Sequence, residues 1–215
     1  MKSLLISSVL SLLVCFPAMS QLQFYMLGGI CPEIHPRNAS LLVNRNQPVD
    51  QFKFNRTQVG TQFFMGVQVR MPLNEYFFTE AGARYSRFSE VYTVTYLAAR
   101  QADSRVDMKE QQNRFTLPVN IGVKLNQVEI VNGFDAVWIT NTKSEMDHMP
   151  GFKDQSPDFH LGWHINIGLE VNRMVVGAGY QAEFARVGEG MSVNGQSLEI
   201  RQLPGQVNFY VQFRL

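Results

Sequence analysis

His160 and His164 are the residues whose type most readily suggests chemistry, as metal ligands or as acid–base groups. Four positions apart on a strand they share a face, but strand rise separates them by about 13 Å. One metal ion cannot be held by both without help from another strand, and no cysteine partner is at hand, so they read as paired polar groups inside a fold. Glu145, Asp147 and His148 sit together in a polar stretch, where loose binding of a divalent ion competes with plain solvation, and solvation is the expectation. Ser156, Asp158 and His160 supply the residue types of a hydrolase, yet nothing in their spacing fixes a nucleophile against a base. Gly188-Glu189-Gly190 lacks the flanking order and the lysine of a phosphate loop. No catalytic, cofactor or metal residue is therefore assigned, and the expectation is a protein that is not an enzyme.

The elements that must position these residues are strands. In Val207 to Leu215 the residues Val207, Phe209, Val211, Phe213 and Leu215 share one face, and Asn208, Tyr210, Gln212 and Arg214 share the other. The same alternation runs through Phe63 to Met71, Phe115 to Leu125 and Phe159 to Val171. Strands near 59–72 and 76–89 are separated by Leu73-Asn74-Glu75, those near 113–125 and 128–140 by Asn126-Gln127, and those near 158–171 and 174–187 by Asn172-Arg173. With Leu22 to Ile30 and Gln206 to Leu215 the count is eight. Long polar connections at 31–57, 90–112, 141–157 and 188–203 alternate with the short turns, the rhythm of a transmembrane barrel with turns on one side and loops on the other. Val91 to Tyr96 keeps alternating, which extends two strands into a protruding hairpin. Asn132-Gly133 leaves a turn or a bulge open within the fifth strand.

Which face is apolar decides the class. The polar face carries Arg70, Glu80, Arg84, Lys124, Glu170, Glu183 and Arg214, charges of both signs once or twice per strand. Buried charges need partners, so a closed lumen of ion pairs is their natural place. Glycines 66, 82, 122, 162, 168, 177 and 179 fall on that face, where a narrow barrel leaves little room. A lipocalin would be apolar inside and would show an early Gly-x-Trp and paired cysteines, which are missing. Phe24, Phe77 and Phe213 map to one rim and Tyr85, Phe115, Phe159 and Phe184 to the other, as two interfacial belts. Eight strands leave no wide aqueous channel, which argues against porin-like transport. The fold predicted is all-β, an eight-stranded antiparallel transmembrane β-barrel of the outer-membrane type.

Residues 1–20 have the outline of a cleaved signal peptide, with Lys2, an apolar stretch from Leu4 to Phe16 and Ala18-Met19-Ser20 before the cut. That places the mature domain at 21–215 and the protein in the cell outer membrane. Cleavage takes Lys2 from the 19 basic residues and leaves 18 against 18 acidic ones, a balance that gives no case for nucleic acid. Of two cysteines only Cys31 remains, so an internal disulfide is excluded and a small, inert filler is expected. Asn38-Ala39-Ser40 and Asn55-Arg56-Thr57 match the glycosylation tripeptide, which matters only in a eukaryotic secretory pathway. The stretch 31–57 combines Arg37, Arg45, Lys53 and Arg56 with Phe52 and Phe54, a mixture that suits lipopolysaccharide phosphates, a protein surface or a solvated loop.

The chain resembles the PorT-like outer-membrane β-barrel family of Bacteroidota. The likeness lies in Tyr76 to Ser86, with its aromatic start, Glu80 and Tyr85-Ser86 end, and in Phe115 to Lys124, where Pro118 follows the first apolar residues. It continues in the Gly-rich passage Gly162 to Tyr180 and in the closing strand, so it covers nearly all of the mature chain. The resemblance implies an outer-membrane barrel and, through one family component, a role beside type IX secretion and gliding machinery. The partners it implies are outer-membrane lipid, lipopolysaccharide and other envelope or secretion-system proteins. The family has no catalytic residues to carry over.

Overall fold

The computed structural model describes residues 22–33, 40–44, 51–97, 104–185, 189–198 and 205–215. The expected signal peptide, Arg37, Arg45 and Gly188 lie outside them. In chain order the strands are β1 (Gln23–Cys31), β2 (Ser40–Asn44), β3 (Gln51–Val59), β4 (Gln62–Pro72), β5 (Phe77–Leu97), β6 (Ser104–Leu125), β7 (Val128–Ser144), β8 (Phe152–Asp154), β9 (Phe159–Val171), β10 (Met174–Glu183), β11 (Met191–Val193), β12 (Gln196–Ser197) and β13 (Gly205–Arg214). Strands β1, β4, β5, β6, β7, β9, β10 and β13 form a closed antiparallel ring of eight, with β1 bonded to β4 on one side and to β13 on the other.

The alternating pattern settles which way each face turns. Phe63, Val119 and Phe134 are 66%, 64% and 63% exposed, whereas Arg70 is 3% and Glu129 0%. Exposed apolar residues on every ring strand make a continuous outer belt, and the charges line the inside. A soluble barrel would reverse this, because water rewards an apolar interior. The belt is bounded by aromatic rings at matching heights. Tyr85 stands opposite Phe115, Phe115 opposite Trp138 and Trp138 opposite Phe159, a lateral row across four strands. Phe24, Tyr76, Phe77 and Phe213 form the other rim. The structure is therefore an eight-stranded transmembrane β-barrel of the outer-membrane type.

Short turns close the rim nearest the chain's last residue. Asn126 and Asn172 begin two of them with φ of 57° and 59°, a region that asparagine tolerates better than most residues. In the third, the side chain of Asn74 accepts the backbone N–H groups of Tyr76 and Phe77, both at 2.8 Å. Inside, a Cβ on Gly122 would lie 2.1 Å from the Phe78 ring and one on Gly177 would lie 2.4 Å from Tyr210. The glycines make room for aromatic side chains that fill the lumen.

Beyond the aromatic row, among the described residues, the wall rises on one side. β5 and β6 stay paired to Tyr96 and Ser104, and the stretch 31–57, expected as a loop, instead contributes the β2–β3 hairpin to the edge of β5. The alternation of β3 was hidden because Arg56 follows Phe54 on one face while Lys53 and Asn55 occupy the other. The connections after β7 and β10 are likewise more ordered than expected. They supply a one-turn 3-10 helix at Glu145–His148 and a separate sheet in the order β12-β11-β8. Of two Asn-Gly pairs, Asn132-Gly133 runs straight through β7, while Asn194-Gly195 makes the hairpin turn between β11 and β12 with both φ positive.

The belt makes a direct prediction. Val119→Arg should lower unfolding stability in lipid vesicles by about 2–4 kcal/mol, the cost of a cation near the bilayer midplane. Denaturant titration of the refolded protein measures it, and a change within about 0.5 kcal/mol, ordinary for a water-exposed surface, would contradict the lipid-facing assignment.

Candidate functional site

The lumen is filled by tiers of ion pairs. At the turn rim, Lys124 and Arg214 both face Glu170. Above it Arg70 donates from Nε to Glu80 at 2.8 Å and from both Nη atoms to Glu129 at 2.8 and 3.0 Å. That guanidinium therefore crosses the interior from β4 to β7, and it lies over the Phe78 ring at 4.0 Å and the Tyr25 ring at 4.8 Å. The next tier holds Asp135, with one oxygen 2.9 Å from His164 Nδ1 and 3.6 Å from Arg84, whose guanidinium stands 5.2 Å from the Phe64 ring. Higher still, Arg114 pairs with Glu183, and the other oxygen of Glu183 is 3.0 Å from His160 Nε2. Arg114 lies 3.9 Å from the Phe88 ring and donates twice to Gln112. The pattern repeats: Arg70, Arg84 and Arg114 each have carboxylate partners and an aromatic ring beneath. It balances charge among side chains that are largely buried.

The uppermost tier lies beyond the aromatic row. Arg56 on β3 pairs with Glu90, which also accepts from the Tyr92 hydroxyl, and Glu110 accepts from Gln112. Burial, reinforced by Glu90, pushes the Glu110 carboxyl up to about 8, and burial raises the Tyr92 hydroxyl as well. Over this tier sits an apolar cap. Met146, Met149, Met191, Val193 and Leu198 descend from the connections and pack on Phe54, Tyr92 and Val94 of the raised wall, with Phe54 stacked on Tyr92 at 5.0 Å. Ser144 accepts the Met146 N–H and so starts the turn that lowers Met146 into the core. The connections thus build an apolar plug over the uppermost tier, and the ion tiers fill the lumen below it.

The residues singled out by type fall in different places. His160 and His164 do point inward and reach separate acids, Glu183 and Asp135. Ser156 and Asp158 line an outside cleft of about 320 Å³ with Thr140, Thr142 and Asp154, and the Ser156 hydroxyl donates to the Glu189 carbonyl at 2.9 Å. His160 does not line that cleft and instead is buried against Glu183. Glu145 accepts the Lys109 N–H at 2.8 Å, while Asp147 and His148 are exposed. Among the described residues no group of three or more His, Cys, Asp or Glu is placed to hold a metal. Arg56 is buried on Glu90 and not displayed, Lys53 is exposed, and Cys31 is fully buried against Leu27, Phe64, Val175 and Tyr210. Sequence reading extended these strands into a protruding hairpin, as the pairing shows, but gave no role to Glu90, Tyr92, Glu110 or Arg114. The signal was the period-two run Ser86, Phe88, Glu90, Tyr92, Val94, which keeps the same inward face beyond the membrane.

Architecture, apolar belt and charged lumen together define an outer-membrane β-barrel protein. The chain matches no protein-family model and no curated protein. Among solved structures it is similar to the outer membrane protein OprG from Pseudomonas aeruginosa, at 12% identity and TM-score 0.47 over 90% of this chain and 95% of that one. It is also similar to the translocator domain of the autotransporter NalP from Neisseria meningitidis, at 9% and 0.36 over 100% and 95%. A third is the outer membrane protease OmpT from Escherichia coli, at 9% and 0.35 over 90% and 96%. The expectation that the chain is not an enzyme is corrected here: a protease stands among the matched structures, so this architecture gives no ground for excluding catalysis. Identities and scores this low transfer no activity, substrate or partner to the chain.

Arg70 carries the sharpest test of the lumen. Arg70→Met should destabilise the barrel by about 3–5 kcal/mol, because Glu80 and Glu129 lose their counterion without reaching water. Adding Glu80→Gln and Glu129→Gln should recover most of that loss in the same denaturant titration. No recovery would mean that Arg70 acts through packing on Phe78 rather than through charge.

Proposed function

We propose that this protein is exported by the segment 1–20, resides in the outer membrane, and uses its barrel to hold a structured head at the cell surface for binding or assembly. The observation that carries the reading is the contrast between the two ends. The lumen is crossed by the Arg70–Glu129 contacts and filled by its own side chains, whereas the outer end builds a raised wall and an apolar core of its own. A barrel that only filled the membrane would need neither. Functional residues tend to lie on segments displayed by a rigid scaffold, and here the displayed part is itself scaffolded. The likeness of Tyr76–Ser86 and Phe115–Lys124 to PorT-like barrels makes secretion or gliding machinery the first class of partner to test. Lipopolysaccharide and other envelope proteins follow.

Gene deletion, followed by complementation with the full chain or with a form whose residues 145–154 are replaced by a short Gly-Ser loop, tests the proposal. Secretion and surface attachment should both be assayed. The full chain should restore whichever function is lost, and the trimmed form should fail although it reaches the outer membrane as a folded barrel. Full restoration by the trimmed form would contradict a role for the head.

A further inference from the structure

We propose that Glu90 and Glu110 form a proton-operated latch beneath the cap, closed while Glu110 keeps its proton and loosened when it is lost. The two residues stand directly opposite each other on β5 and β6, both inward and buried, five positions beyond the aromatic row at Tyr85 and Phe115. Like charges placed opposite each other on adjacent strands repel, and burial sharpens the repulsion. Among the described residues no second cation is paired with them, although Arg114 acts on Glu110 from a distance. Arg56 on β3 is committed to Glu90, and Arg114 on β6 to Glu183 of β10, which also faces His160 of β9. Two guanidiniums therefore serve three carboxyls.

Tyr92 on β5 donates to Glu90, and Gln112 on β6 donates to one oxygen of Glu110. The other oxygen, Oε2, is buried with no hydrogen-bond partner, the place where a retained proton would sit. Asp154 on β8 adds a further negative charge towards Glu110. On β7 the residue opposite Glu110 is the neutral Ser144, and Glu145 of the one-turn helix is taken up by the Lys109 N–H. Tyr92 links the pair to the cap, since its ring belongs to the same core as Met146, Met191 and Leu198. Ionising Glu110 thus puts an uncompensated charge directly under an apolar roof, and lifting the roof is the way to hydrate it.

The direction follows from linkage. With the cap closed Glu110 titrates at about 8, and once hydrated it returns towards its ordinary 4.5. Closure is therefore fully favoured below 4.5, is weakened as pH rises from there, and loses no more above about 8. This latch operates whatever the head binds, so it stands apart from the proposed function.

Hydrogen exchange of segments 145–154 and 189–198, in protein refolded into lipid vesicles and normalised to the unfolded segments at each pH, reads the opening. Opening in the wild type should rise by up to about tenfold per pH unit between roughly pH 5 and pH 8 and then level off. Glu110→Gln should keep both segments protected with no such rise, and Glu90→Gln should bring the levelling-off to lower pH. A flat wild-type profile, or a rise that survives Glu110→Gln, would overturn the proposal. The wild-type profile decides even if a variant fails to fold.

Discussion

Everything in this structure depends on one constraint: in a closed eight-stranded barrel crossing a membrane, the lumen is the only non-aqueous place where charge can be compensated. Lipid surrounds the outer face, backbone groups are spent on the ring of hydrogen bonds, and eight strands leave no water column. Each inward charge must therefore find its partner across the interior. Arg70 shows the solution most completely. Its planar fork reaches Glu80 on the neighbouring strand and Glu129 three strands away, so one side chain ties together opposite parts of the wall. The rings of Tyr25 and Phe78 beneath it occupy the volume that water would otherwise claim.

Above the aromatic row the constraint changes, and so does the architecture. Water is available outside, the wall persists among the described residues along β2, β3, β5, β6 and β7, and an apolar core becomes stabilising again. The connections after β7 and β10 meet that need by folding over the mouth as a methionine-rich cap. The tier of Arg56, Glu90 and Glu110 lies where these two regimes meet. Its charges are screened from water by the cap, yet no cation among the described residues is paired with Glu110. A buried carboxyl without a counterion is the group most sensitive to its surroundings, which is why the structure's responsiveness concentrates there.

Much of this was legible in the sequence, for a physical reason. Period-two alternation with a lipid-facing set is forced on every membrane strand, so Phe63 to Met71, Phe115 to Leu125 and Phe159 to Val171 announce both strand and orientation. Turns such as Asn126-Gln127 are equally forced, since the sheet leaves only two residues to reverse direction. The hairpin running on from Val91 was legible too, whereas the β2–β3 pair added to its edge and the small sheet of the connections were not. Lys53 to Arg56 looked like a charged loop although Phe54 and Arg56 both turn inward in β3. Partner choice in the lumen was also hidden, because Glu129 and Asp135 reach Arg70 and Arg84 only through closure of the ring. Asn132-Gly133 carried a turn signal that tertiary pairing overrode, whereas Asn194-Gly195, in an unassigned loop, obeyed it.

The measurement that most directly tests the central claim is a spin-label accessibility scan of β9 in the mature chain, with Cys31 replaced by alanine and the protein refolded into vesicles. Labels at Leu161, Trp163, Ile165, Ile167 and Leu169 should be reached by oxygen, most strongly in the middle of the strand, and shielded from a water-soluble nickel chelate. Labels at those positions that are open to the chelate, or closed to both reagents, would place the belt in water or in a protein core and contradict the account.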